Sequence, residues 1–184
     1  MPPRAFKPSV TVAAVIERDG FFLMVEEETV DGVRLNQPAG HLEAGETLPA
    51  ACAREVLEET AHRFSPQALL GAYLARFVSP ASGEEITYLR FAFTGALGAQ
   101  QVGRALDDGI LRTLWLTADE VRAQSARHRS PLVQRCIDDY LAGRRWPLQL
   151  LHADPSALGA LGALGALGPF SALSAAATPP PAAP

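Results

Sequence analysis

The chain has 184 residues, 48% apolar and 20% charged, with a formal net charge of -4 at pH 7, which suffices for one buried core with a tail left over. The acidic balance argues against a nucleic-acid surface, because gripping a phosphate backbone requires clustered Lys and Arg. The two cysteines, Cys52 and Cys136, are too few and too separated for a disulfide framework or a zinc site.

The N-terminus, MPPRAFKPSV, has no apolar run of the length a secretory signal needs, so a cytoplasmic protein is expected. Val10 to Ile16 and Phe21 to Val25 are apolar, β-branched runs separated by Glu17, Arg18, Asp19 and Gly20, which predicts a hairpin closed by an Asp-Gly turn. Gln37 falls in a strand leading to a loop over Gly40 to Glu46. Thr47 is a good N-cap, Pro49 fits a first turn, and Leu48 to Thr60 lacks glycine and has few β-branched residues, so this stretch is expected to be helical. Leu70 to Val78 and Ile86 to Leu97 flank a Ser-Pro-Ala-Ser-Gly loop and predict a second strand pair. Leu111 to Leu116 is a further strand. Thr117, with Glu120 three residues on, predicts a capping box at a helix start, and Pro131 to Ala142 predicts a last helix ended by Gly143. Strands and helices mix without regular βαβ alternation, which suggests an α/β fold with a mixed sheet between helices.

From Pro155 to Pro184 there is no charge, and Ala157 to Gly168 is Ala-Leu-Gly four times over. Glycine at every third place without proline is no collagen signature, it spoils a helix, and a membrane span needs about 20 apolar residues. The expected organisation is a domain over 1–152 and a disordered low-complexity tail over 153–184, with no membrane association.

Gly40 to His62 reads GHLEAGETLPAACAREVLEETAH, with the spacing G-x5-E-x7-R-E-V-L-E-E. At about 100° per residue, Glu55, Glu58 and Glu59 share one arc of the predicted helix, with Ala50, Ala53, Val56, Leu57 and Thr60 opposite. On that wheel one face packs and the other is acidic, and the small Ala51 and Cys52 leave room for a metal and a phosphate beside the acidic arc. Three carboxylates so close raise one another's pKa unless a cation joins them. Mg2+ suits the oxygen ligands, since it binds through a few carboxylates, waters and substrate phosphates. Arg54, one turn before Glu58, can hold a carboxylate in place. A bare glutamate cluster is more often a solvated helix face. Here Gly40, Glu46 and Arg54 coincide with it at fixed spacing.

Residues 40 to 62 resemble the Nudix box, G-x5-E-x7-R-E-U-x-E-E-x-G-U with U aliphatic, of the hydrolases that cleave nucleoside diphosphates linked to another group. The resemblance implies the Nudix fold, a mixed β-sheet sandwiched between α-helices. It implies Mg2+, with Mn2+ as the alternative ion, held by Glu55, Glu58 and Glu59 and by the backbone carbonyl of Ala39. It makes those glutamates and Arg54 the catalytic set, with Gly40 and Glu46 supporting the loop. Two places depart from the box: Ala61 stands where the family has glycine, a left-handed position that alanine adopts at a cost of about 1 kcal/mol, and His62, expected in a partly exposed loop, stands where the family has an aliphatic residue.

Beyond the box, FKPSVTVAAVI, LNQPAGHLEAGETL, ITYLRFAF, RSPLV and RRWPLQLL resemble the NudJ-type phosphatase branch of the Nudix hydrolases, from about Phe6 to Leu151. That similarity implies an Mg2+-dependent phosphatase that takes terminal phosphate from nucleoside tri- and diphosphates and from the pyrophosphate of the thiamine pyrimidine precursor, releasing orthophosphate. Its partner is then a small phosphoanhydride, with no stable nucleic-acid partner, and the resemblance leans towards a monomer. The rival readings are a general Nudix pyrophosphohydrolase of nucleotide sugars or oxidised nucleotides, and a non-catalytic nucleotide-binding module. For the base that deprotonates water, the box glutamates rank ahead of Glu84, Glu85, Asp107 and Asp108. Gln37, Arg90, Arg127, His128 and Arg129 are unranked candidates for substrate contact. Phe77, Tyr88 and Phe91 are candidates for ring stacking.

Overall fold

The protein is described here by a computed structural model covering residues 6–158. The Asp-Gly turn forms as expected, with Asp19 at φ 53° and Gly20 at φ 85°, the doubly left-handed geometry that joins two strands tightly. The hairpin, however, is short. Strand β1 (Ser9–Ala14) ends before it, and only β2 (Glu17–Arg18) pairs with β3 (Phe21–Thr29) across the turn. β1 instead runs parallel to β7 (Glu85–Gln100), with Ser9 opposite Tyr88, and antiparallel to β5 (Ala39–His41).

Two four-stranded sheets result. One has the order β5-β1-β7-β6, where β6 is His62–Val78 and forms a long antiparallel pair with β7. In the other, β3 pairs with β8 (Ile110–Thr117) on one edge and with β2 and β4 (Gly32–Asn36) on the other. The strand expected through Gln37 is broken there: Gln37 lies between β4 and β5, and Gly40, expected to start a loop, lies in β5. His62 opens β6, half-buried, with its ring Nδ1 2.9 Å from Thr60 O; it is a strand residue rather than a loop residue.

Helix α1 (Leu48–Thr60) has the predicted limits. Thr47 caps it by accepting from the Ala50 N–H at 3.2 Å, and Ala61 ends it in the left-handed conformation at φ 58°, its N–H bonded to Leu57 O. Alanine thus makes the turn that the box gives to glycine. Helices α2 (Ala118–Ala123), with both halves of the capping box from Thr117 and Glu120, and α3 (Leu132–Leu141) also form. No described helix is long and apolar enough to cross a membrane.

The core has two lobes that share the β1 segment. Ala13 and Val15 face Leu70, Val121, Val133, Cys136 and Ile137, under α2 and α3, while Val12, Ala14 and Ile16 face Ala51, Cys52, Val56 and Phe93, under α1. The run Val12 to Ile16 is continuously apolar because both of its faces are covered. Fully buried Val56 alone contributes about 1.5–3 kcal/mol of apolar burial to anchoring α1. The described backbone continues through a short turn at Pro155–Ala157 to Leu158, bridged to Gly45. The rest of the low-complexity segment, 159–184, lies outside the described residues.

Candidate active site

The buried stripe of α1 consists of Ala51, Cys52, Glu55, Val56, Glu59 and Thr60. The helical wheel had placed all three box glutamates opposite the packed face. Two of them, Glu55 and Glu59, lie within it, and Ala51 and Cys52 are core residues instead of floor for a ligand. Burial is tolerated because each carboxylate has a donor supplied by the chain around it. Ladder alternation explains one of these donors. Pro38 O and Leu42 N bond to β1, so Ala39 and His41 turn their backbone groups away from β1 towards α1. The Ala39 N–H donates to Glu59 Oε2 at 2.9 Å.

Arg54 is the hub. All five of its N–H donors are used: Nε and Nη2 on Glu46 at 3.1 and 2.8 Å, Nη2 also on His41 O at 2.9 Å, and Nη1 on Glu55 Oε1 at 2.8 Å and Glu58 Oε2 at 2.9 Å. Glu46 in turn accepts the Glu43 N–H at 2.9 Å. Gly40 closes the fit from the strand side, where an added Cβ would lie 2.1–2.2 Å from the Glu55 carboxyl atoms.

The helix and β5 form one wall of an open cleft of about 610 Å³, completed by Arg104, Ala105, Leu106 and Asp107. Asp107 is held there by its N–H on Glu58 O at 3.0 Å. Five carboxylates (Glu43, Glu55, Glu58, Glu59, Asp107) face two guanidiniums, Arg54 and Arg104, across this cleft. The electrostatic consequence is plain at Glu59: burial chiefly, with Glu55, Glu27 and Asp107 adding to it and the Ala39 N–H opposing, pushes its carboxyl up to about 9. Burial also raises Glu55 against the pull of Arg54. Burial pushes Glu46 upward too, but the bonds from Arg54 and the Glu43 N–H prevail and hold it below its ordinary value.

Among the described residues no three of His, Cys, Asp and Glu converge to cage an ion unaided. Glu55 and Glu58 are drawn onto Arg54 and Glu59 onto Ala39. An excess of hard oxygen donors in an open cleft still fits a Mg2+-like ion, which keeps several waters and completes its shell with substrate phosphates.

Other sequence candidates disperse. Glu85 pairs with exposed Arg76 and Glu84 sits in the turn between β6 and β7, both away from the cleft. Asp108 is outside the cleft wall, whereas Asp107 is in it. Gln37 is buried and donates to Val133 O at 2.7 Å, a structural bond. Arg127 pairs with Glu26, and His128 Nε2 is bonded to Val121 O. Phe91 packs against the core lobe under α1. Arg90, Arg129, Phe77 and Tyr88 instead line a second, smaller cavity of about 170 Å³, which shares Ala39, Gly40 and His41 with the acidic cleft. Local sequence does not rank these four, since the register of β6 and β7 brings Phe77, Tyr88 and Arg90 together and Arg129 joins them from the loop before α3, its N–H on Leu35 O.

Known proteins resemble the chain in sequence and in fold. The NUDIX domain description matches residues 5–136. The chain is 42% identical over 147 residues to the Escherichia coli (strain K12) protein named Phosphatase NudJ, covering 79% of this chain and 92% of that protein. A solved structure of a NUDIX hydrolase from Nitrosomonas europaea shares 51% identity at a TM-score of 0.75, over 81% of this chain and 99% of the other. The MutT protein of Methanosarcina mazei, 18% identical at a TM-score of 0.60 over 77% of this chain and 99% of its own, is alike in fold alone.

Proposed function

The chain belongs to the Nudix hydrolases, enzymes acting on phosphoric anhydrides, and on that footing we propose that it is a divalent-cation-dependent phosphatase that removes terminal phosphate from nucleoside tri- and diphosphates and from the pyrophosphate of the thiamine pyrimidine precursor. The observation that carries the reading is the complete set of box glutamates, Glu55 and Glu58 on Arg54 and Glu59 on the Ala39 N–H, in a chain that matches a protein named Phosphatase NudJ over 92% of that protein's length. A module that only binds nucleotides has no use for so costly a concentration of buried carboxylates.

In this reading Glu55, Glu58 and Glu59, with the Ala39 carbonyl that the β5 ladder turns towards the cleft, hold Mg2+ or Mn2+. When bound, the ion offsets charge on the phosphoryl oxygens and lowers the pKa of water. Arg54 presents Glu55 and Glu58 side by side, and Glu46 fixes Arg54, which is how outer residues set the orientation of ligands. The Ala39 N–H occupies Glu59 Oε2, and a bound cation would bring the raised Glu59 carboxyl back to its ionised form, so that Glu59 Oε1 would be the atom to accept the water proton. Asp107 is the second choice for that role, being the carboxylate on the far wall. The two free, buried thiols, Cys52 and Cys136, accord with a cytoplasmic setting.

Product analysis tests the activity. With GTP or ATP and Mg2+, orthophosphate is the expected product; pyrophosphate with a nucleoside monophosphate would favour a general pyrophosphohydrolase, and tight binding without turnover a binding module. Glu59→Gln should lower turnover by a factor of hundreds or more, as expected when a metal ligand or base is lost. A near-normal rate in that variant would refute the role given to Glu59.

A further inference from the structure

Past α3 the chain turns back towards the box loop. This return lies beyond residue 136, where the match to the NUDIX domain ends. Trp146 pairs with Leu69 on the outer edge of β6, its N–H donating to Leu69 O at 2.8 Å and its carbonyl accepting the Leu69 N–H at 2.9 Å. After a single turn at Leu148–Leu150, Leu148 and Leu151 pack on the core lobe under α1, the lobe on which Leu42 and Leu48 from either side of the box loop also rest. Asp154 then shapes the last described turn, its Oδ1 accepting the Ser156 N–H at 2.9 Å and the Ser156 hydroxyl at 2.6 Å. Leu158 finally lies beside Gly45 as in a parallel ladder.

Gly45 immediately precedes Glu46, the residue that takes Nε and Nη2 of Arg54. Over residues 43–46 the only ladder partner among the described residues is Leu158. A loop with glycine at φ 88° gives up much conformational freedom when it is ordered. The bond from the Glu43 N–H to Glu46 is closed within the loop itself, so a tie from elsewhere adds what the loop lacks. That tie runs outside the core: Trp146 is 53% and Leu150 63% exposed, so it can be loosened while both lobes stay packed.

We propose that residues 146–158 form a positioning strap for the metal site. By holding the loop over residues 43–47 against α1, the strap fixes Glu46, Glu46 fixes Arg54, and Arg54 presents Glu55 and Glu58. The divalent-ion affinity of the cleft is then set partly by a segment outside the matched domain. The assignment rests on the metal-binding reading of the box glutamates and deepens it.

The test uses the full-length protein with Leu151→Ala, Asp154→Ala and Asp154→Asn as strap variants; neither residue lines the cleft. Calorimetric titration with Mn2+ should show affinity lower by about 10-fold in Leu151→Ala, as when a ligand's outer support is disturbed. It should fall by about 5-fold in Asp154→Ala, while Asp154→Asn, which keeps an equivalent cap, should match wild type. Asp154 is exposed, so its variants serve if Leu151→Ala fails to fold. Coupling separates positioning from general loosening: in a Glu46→Gln background Leu151→Ala should cause no further loss of affinity, and Asp154→Ala none either. A second readout needs no ion. In EDTA, hydrogen exchange at the Glu43 amide should speed up about 10-fold in Leu151→Ala and Asp154→Ala, with the Val15 amide, bonded to Phe93 O in the core, unchanged. Unchanged exchange at Glu43, equal acceleration at Val15, or losses of affinity that add to that of Glu46→Gln would each overturn the strap. If the wild-type protein binds no Mn2+ yet Glu43 exchange responds as described, the metal reading fails and the strap stands.

Discussion

At Gly40 a single hydrogen atom in place of a methyl group determines whether Glu55 can sit where it does. The strand cannot retreat to make room, since Gly40 is held opposite Val12 on β1, and a Cβ there would fall 2.1–2.2 Å from the carboxyl atoms. Gly40→Ala should therefore leave the fold intact, push Glu55 off Arg54, and weaken Mg2+ or Mn2+ binding by about 10- to 100-fold, the effect typical of disturbing a ligand's support; calorimetric titration reads this directly, and unchanged affinity would remove Gly40 and Glu55 from the site. The identity of such residues was legible in the chain because the box spacing is rigid. Their burial was not. A helical wheel sends glutamate outward unless donors arrive from elsewhere, and the Ala39 N–H that binds Glu59 comes from a strand twenty residues earlier.

Helix α1 matched its predicted limits to the residue because its two ends are encoded locally: a threonine cap, a proline in the first turn, and a left-handed exit that Ala61 accepts. The cap can be tested by itself. Thr47→Ala removes the acceptor for the Ala50 N–H and should cost about 1 kcal/mol, seen as a lower urea midpoint at unchanged slope; an unmoved midpoint would mean that packing of Val56 and its neighbours holds the helix start without the cap. The strands were less legible. β1 looks like one arm of a hairpin, since the Asp19-Gly20 turn follows it, but its true partner β7 lies 79 residues on from Ser9 to Tyr88, and parallel pairing leaves no local signal. β4 and β5 are five and three residues long, and the break between them at Gln37 and Pro38 falls inside the single strand expected there, in a run too short for periodicity to divide.

Across the molecule, function gathers where the two core lobes meet. β1 divides them, β5 lies on its edge, and the acidic cleft and the smaller cavity share β5, so a change in how the second sheet docks would reshape both at once. One ion-pair cluster ties that second sheet to the loop beyond α2. Glu26 on β3 is nearly buried and accepts from Arg112 Nε on β8 at 2.6 Å and from Arg127 in the turn at Ser125–Arg127. Those two arginine bonds outweigh burial and hold the Glu26 carboxyl below its ordinary value of 4.5. A carboxylate lowered in the folded state stabilises fully above its unfolded pKa, and that stabilisation is lost as pH falls through the folded one. Glu26→Gln should thus cost about 1 kcal/mol at neutral pH, a modest figure because Arg112 is largely in water and the pair is screened. The gap between variant and wild type should close as the pH drops below 4.5. Neighbouring Glu27, which burial raises instead, is present in both proteins and cancels from the difference. Urea unfolding of both across that range provides the measurement, and a gap that stays constant or widens in acid would show that Glu26 acts through packing and not through its charge.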